Sequence, residues 1–150
     1  EPARPEGMTA SQEQAYEKAQ QYLSAMAFSH DGLIKQLEFE QFSTEDATFA
    51  ADNCGADWNE QALKKAKDYL GTMAFSQTGL ADQLVFEGFT QEQADAAAAN
   101  CGADWNEQAA KKAQSYLDTM AFSHGALVDQ LVYEGFTREQ AEYGVSQTGI

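Results

Sequence analysis

Between residues 57 and 103, apolar and polar positions follow a helical period. Trp58, Ala62, Ala66, Tyr69, Leu70 and Met73 fall on one stripe, and Lys64, Lys65 and Lys67 lie off it; this predicts an amphipathic helix A. Asp57 is its N-cap candidate, with Glu60 placed to complete a capping box and Lys64 placed to pair with Glu60 one turn on. Phe75-Ser76 ends helix A and opens helix B. Ser76 serves as the N-cap, Leu80, Leu84 and Val85 face inward, and Gly88 stops the helix at C′. Thr90 and Gln93 predict a second capping box at the start of helix C, with Phe89 stapled to Ala94. Ala94, Ala97 and Ala98 give helix C a narrow face for close packing. Gly102 ends it, and the next N-cap, Asp104, follows almost at once, so joints between units are short.

This unit occurs three times. Met-Ala-Phe-Ser begins at Met26, Met73 and Met120, a constant step (26 to 73 to 120, 47 residues each). Tyr22-Leu23, Tyr69-Leu70 and Tyr116-Leu117 repeat at the same step, as do Asn53-Cys54-Gly55 and Asn100-Cys101-Gly102. A fixed period of this length predicts an array of one supersecondary unit. The expected architecture is all-α: a linker over 1–9, then three tandem three-helix repeats at 10–56, 57–103 and 104–150, each with a helix-turn-helix-like element, stacked through short joints. Two positions break the pattern. Gln41 stands where the other repeats have Gly88 and Gly135, and a glutamine in the left-handed region predicts local strain. Ser11 stands where they have Trp58 and Trp105. Each Trp could anchor a partner or plug the seam with the preceding unit. Its absence from the first repeat, which has no preceding unit, favours the plug.

Charge narrows the function. The 150 residues carry 24 acidic and 9 basic side chains, a formal net charge of −15. Such a surface repels nucleic acid and anionic membranes and attracts basic partners, though acidity also serves solubility alone. The helix B–turn–helix C run from Leu80 to Ala94 resembles a DNA-reading helix-turn-helix. Helix C of the second repeat has no basic residue between Gln91 and Ala99, the first repeat carries Glu45 and Asp46, and the third has Arg138 beside Glu139. No base-reading or phosphate-binding set is present, so the motif reads as architecture for packing or protein contact. No stretch approaches the length of a membrane span.

Catalytic and metal chemistry finds no support, so neither an enzyme nor a cofactor is expected. His30 and His124 are equivalent positions, replaced by Gln77 in the second repeat; the adjacent Ser29 and Ser123 are explained as helix caps. Asp52, Asp57 and Glu60 do not have EF-hand spacing, and Ala99 replaces Asp52 in the next repeat. Cys54 and Cys101 are equivalent, with Thr148 in the third repeat. They are either bridged or two separate small buried groups beside helix caps. The opening Glu1-Pro2-Ala3-Arg4-Pro5-Glu6-Gly7 reads as the tail of a linker left after a targeting segment.

The run Ala-x-x-Tyr-Leu-x-x-Met-Ala-Phe-Ser-x-x-x-Leu-x-x-Gln-Leu-x-x-Glu-Gly-Phe-Thr-x-Glu-Gln-Ala resembles the repeat of the host cell surface-exposed lipoprotein (Ltp) family. Trp58-Asn59-Glu60-Gln61-Ala62 and Trp105-Asn106-Glu107-Gln108-Ala109 match its opening Trp-x-x-Gln-Ala. The resemblance covers residues 10 to 150. It implies a lipoprotein tethered by an N-terminal lipidated Cys, absent from these residues, on the outer face of a Gram-positive membrane. It also implies superinfection exclusion through protein contact, with phage DNA injection blocked. Charge and resemblance together predict capture of a basic segment of a phage tape-measure or injection protein, with Asp82, Glu87, Glu92, Asp95, Asp129, Glu134, Glu139 and Glu142 around the helix B–C turns as candidate partner-binding residues. The alternatives are an envelope or adhesion module anchored by Trp and Phe patches, and a structural spacer.

Overall fold

The computed structural model describes residues 4–150, so the first three residues of the expected linker lie outside it. The described residues form nine helices, in order α1 (Ala10–Ala25), α2 (His30–Phe39), α3 (Thr44–Asn53), α4 (Trp58–Leu70), α5 (Gln77–Phe86), α6 (Gln91–Asn100), α7 (Trp105–Thr119), α8 (His124–Tyr133) and α9 (Arg138–Ser146). No strand occurs among the described residues. Each consecutive triplet is one A–B–C unit. The first and third helices of a triplet pack extensively on each other, and the second closes the bundle.

Local chemistry sets the helix ends. Thr9, Thr90 and Thr137 each form a full capping box with Gln12, Gln93 and Gln140, satisfying two of the free backbone N–H groups of the first turn. Ser29, Ser76 and Ser123 cap the B helices. Asp57 caps α4 as expected, but Glu60 does not complete the box: its carboxylate turns to Lys64, 3.3 Å away. Helix A of the second repeat is shorter than its neighbours. Gly71, with a low helix propensity, forms the C-cap, so Met73 lies beyond the helix; like Met26 and Met120 it is exposed. Val85 is exposed too, and Ala81 takes the inner position beside Leu80 and Leu84.

Three separate cores result. Leu33 and Leu37, Leu80 and Leu84, and Leu127 and Leu131 are wholly buried in successive units against the small alanine faces of helices A and C. Packing is tightest in the third unit. There Gly144 of α9 replaces the alanine of the other two helices C, and a Cβ on it would lie 2.6 Å from the backbone carbonyl carbon of Ala109.

The seams between cores are narrow, polar and aromatic. Trp58 packs on the first core and Trp105 on the second, so both are seam plugs. The four buried polar residues among the described ones are Ser29, Gln61, Ser76 and Gln108, and all four bond across a seam. Gln61 Oε1 accepts the Phe28 N–H at 3.0 Å, and Gln108 Oε1 accepts that of Phe75 at 3.0 Å. Ser29 Oγ donates to the Glu87 carbonyl at 2.8 Å, and Ser76 Oγ to that of Glu134 at 2.7 Å. Their equivalents Gln14 and Ser123, which face no unit among the described residues, are exposed.

These contacts explain the irregular turn residues. Gly88 and Gly135 adopt φ of 108° and 107°, and a Cβ there would meet the seam serine at 2.6 Å and 2.8 Å respectively. Gln41 has φ 78°, the left-handed geometry expected to strain it, but no other unit among the described residues docks against the turn it occupies.

Cys54 and Cys101 are free thiols, the first buried and the second half-buried. Each Sγ lies against the carbonyl of the residue three before it, Ala51 or Ala98. Burial raises the Cys54 thiol pKa and so disfavours the reactive thiolate.

Candidate partner-binding surface

The eight acidic candidates fall into two groups. Glu87 and Glu134 are the C-caps of α5 and α8, and both are tied into their own unit. The Tyr69 hydroxyl donates to Glu87, Gln83 Nε2 lies 3.3 Å from the same hydroxyl, and Lys65 Nζ lies 4.0 Å from the Glu87 carboxylate. Burial, then the anionic Glu87, raises the Tyr69 pKa. In the third unit Gln130 Nε2 bridges Tyr116 Oη and Glu134 at 3.2 Å each, with Lys112 3.6 Å from Glu134. Tyr22, Gln36, Lys18 and Glu40 repeat the arrangement in the first. These glutamates hold helix A to the end of helix B; they are not open acceptors.

The other six are exposed: Asp82 on α5, Glu92 and Asp95 on α6, Asp129 on α8, and Glu139 and Glu142 on α9. Asp95 accepts from Gln91 at 2.8 Å, Glu142 from His124 at 3.0 Å, and Asp129 lies 3.5 Å from Arg138. Asp82, Glu92 and Glu139 make no ion pair or side-chain hydrogen bond among the described residues.

Each histidine spans two helices. His30 of α2 meets Asp52 of α3 at 2.7 Å and Asp31 at 3.2 Å, edge-on to Trp58 of α4 with centroids 5.3 Å apart. Burial lowers its pKa, but the two carboxylates outweigh burial and the net shift is upward. His124 is raised by its bond to the Ile150 carbonyl and then by Glu142. Neither has a nucleophile aligned with it, since Ser29 and Ser123 act as caps. Among the described residues no three His, Cys, Asp or Glu side chains cluster to hold a metal ion.

The acidic surface has basic interruptions. A cleft of about 380 Å³ opens at the first seam beside Met26, Lys64 and Lys67, and another of about 380 Å³ at the second beside Met73, Lys111 and Lys112.

The sequence reading missed one feature. Phe39, Phe86 and Tyr133 end the three B helices at the same register and are 78%, 84% and 86% exposed. The signal was available: each ring lies two residues beyond a buried leucine, and two steps of 100° carry it to the opposite face.

Comparison with known proteins places this geometry. A comparison with curated proteins gives no significant match. The chain is similar to the solved structure of Ltp, a superinfection exclusion protein from the Streptococcus thermophilus temperate phage TP-J34. The two are 42% identical with a TM-score of 0.59, over 62% of this chain and 97% of that one. No described helix is long and apolar enough to cross a membrane. The family of host cell surface-exposed lipoproteins matches at residues 10–54, 57–100 and 104–147. One match falls on each helical unit, and the chain belongs to this family.

Proposed function

We propose that this protein is displayed on the outer face of a Gram-positive membrane through an N-terminal lipid and excludes later phages by binding a basic segment of their tape-measure or injection protein. The observation that carries this reading is the 42% identity to a superinfection exclusion protein across 97% of that protein's chain. The physics is consistent with it. A net charge of −15 attracts a cationic polypeptide over a Debye length of about 8 Å at physiological salt, and Asp82, Glu92 and Glu139 are exposed and without an ion pair among the described residues. A repetitive array also offers several equivalent contacts to one elongated partner.

The test is made on cells. The chain is anchored on the surface of its host, several phages are applied, and adsorption and DNA delivery are scored separately. Normal adsorption with blocked delivery is the expected result. Unimpeded delivery across a broad panel would overturn the exclusion reading and leave an envelope or adhesion role. Neutralising Asp82, Glu92, Asp95, Asp129, Glu139 and Glu142 together is expected to weaken partner binding and flatten its salt dependence. Unchanged affinity and salt dependence would exclude the electrostatic part.

A further inference from the structure

Phe39, Phe86 and Tyr133 contribute to no core, yet an aromatic ring persists at this register while several other positions of the same helices change. The α2, α5 and α8 sequences vary as Ile34, Ala81 and Val128, as Lys35, Asp82 and Asp129, and as Glu38, Val85 and Val132. The last position varies only from Phe to Tyr, which keeps the ring face and changes the para substituent. Single exposed apolar residues are ordinary; three large rings, each more than three-quarters exposed at one register, are a repeated exposed feature.

Their surroundings select the occupant. Glu40, Glu87 and Glu134 beside the rings are held within their own units, but each ring also has one exposed carboxylate near it in the chain: Glu38 precedes Phe39, and Asp82 and Asp129 lie one helical turn before Phe86 and Tyr133, a place that Lys35 takes before Phe39. An apolar partner side chain pressed onto these rings would strip water from the exposed carboxylates Glu38, Asp82 and Asp129 without replacing it. A guanidinium avoids that cost: its flat face stacks on the ring while its edge N–H groups remain available to carboxylates.

We infer that Phe39, Phe86 and Tyr133 form an aromatic ladder that receives successive arginine side chains of one basic polypeptide. This inference rests on the exclusion reading only for the identity of that polypeptide; the recognition chemistry follows from the rings and their carboxylate neighbours. Arginine is favoured over lysine because stacking needs a planar cation.

The probe is a synthetic helical peptide carrying arginine along one face, with glutamine-substituted and lysine-substituted counterparts, titrated calorimetrically. The triple variant Phe39→Ser, Phe86→Ser, Tyr133→Ser removes the rings at exposed positions, and circular dichroism checks that helicity is retained. Expected is binding of the arginine peptide to the unaltered protein, weaker binding of the lysine peptide, and none of the glutamine peptide. The triple variant should bind the arginine peptide about tenfold more weakly, corresponding to three exposed cation–π contacts. Phe39→Leu, Phe86→Leu, Tyr133→Leu, which keeps apolar area without a ring, should lose affinity equally, and Phe39→Tyr, Phe86→Tyr should preserve it. Equal affinity of the serine variant and the unaltered protein, or no binding of the arginine peptide at all, would overturn the ladder.

The DNA-delivery assay separates the two ideas. If the unaltered protein fails to block delivery, the exclusion reading falls while the peptide titration still decides the ladder. If it blocks delivery and the serine variant blocks equally, the ladder falls and the exclusion reading stands.

Discussion

The hydroxyl of Ser76 donates to the carbonyl of Glu134, 2.7 Å away and 58 residues further along the chain. The same oxygen accepts the Gly79 N–H at 2.9 Å to cap α5. One side chain thus starts its own helix and ties down the end of a helix in the next unit. Ser123 performs only the first task, accepting from Ala126 at 3.1 Å. Ser76→Ala should therefore cost about 2 kcal/mol, the sum of a cap and a buried hydrogen bond. Ser123→Ala should cost about 1 kcal/mol. Urea denaturation of the two variants checks the difference, and equal losses would show that the seam bond contributes nothing.

The turn residues at the ends of α2 and α8 predict opposite signs. Gln41 is held at φ 78° with no unit docked against it, so Gln41→Gly should stabilise by about 0.5–1 kcal/mol. Gly135→Ala brings a Cβ to 2.8 Å from Ser76 Oγ at φ 107° and should destabilise by about 1–3 kcal/mol. Thermal unfolding of both reads the two signs directly.

Gly144 gives a second steric test. Alanine in mid-helix normally gains up to about 1 kcal/mol over glycine. Here the new Cβ would meet the Ala109 backbone at 2.6 Å to 2.8 Å. Backbone yields less than a side chain, so overpacking should win and Gly144→Ala should cost about 1–3 kcal/mol net. A stabilised variant would show that α7 and α9 separate without penalty.

The raised histidines predict a pH dependence. Their folded pKa values lie above the unfolded value of about 6.5, for His30 despite burial and through Asp52 and Asp31, for His124 through Ile150 and Glu142. A raised pKa stabilises fully below the unfolded value, and that contribution is lost as pH rises through the folded value. Melting temperature should therefore fall from pH ~6 to pH ~8. The double variant His30→Gln, His124→Gln, which copies Gln77 of the second repeat, should flatten that slope. An unchanged slope would assign the pH dependence to other groups.

Much of this fold was legible because its signals are local. The 47-residue step (26 to 73 to 120), the Thr–Gln capping boxes, the alanine faces and the seam role of Trp58 and Trp105 all follow from spacing. The parts that were not legible depend on what lies across a joint. Gln61 and Gln108 read as ordinary polar helix residues until a neighbouring unit presents the Phe28 and Phe75 N–H groups. Glu87 and Glu134 read as surface charge until Tyr69, Gln130 and the lysines close around them. Met73 and Val85 were assigned inward from helical spacing, but Met73 lies past the end of its helix, exposed like Met26 and Met120, and Ala81 takes the inner place beside Leu84. The aromatic row went unread because its exposure shows only when the angle from the buried leucines is counted.

The seam bonds also bear on how such a gene can change. Residues 57–103 carry both halves of a joint: Gln61, the Glu87 carbonyl and Gly88 for the unit before, and the Phe75 N–H and Ser76 for the unit after. Among the described residues, Gln14 of the first unit and Ser123 of the third make no bond across a seam. Duplicating the middle segment in frame would create a new joint in which every donor already has its acceptor, with no compensating substitution. Gain or loss of one whole repeat can therefore lengthen or shorten the molecule in whole steps, and its reach becomes a heritable quantity independent of its surface.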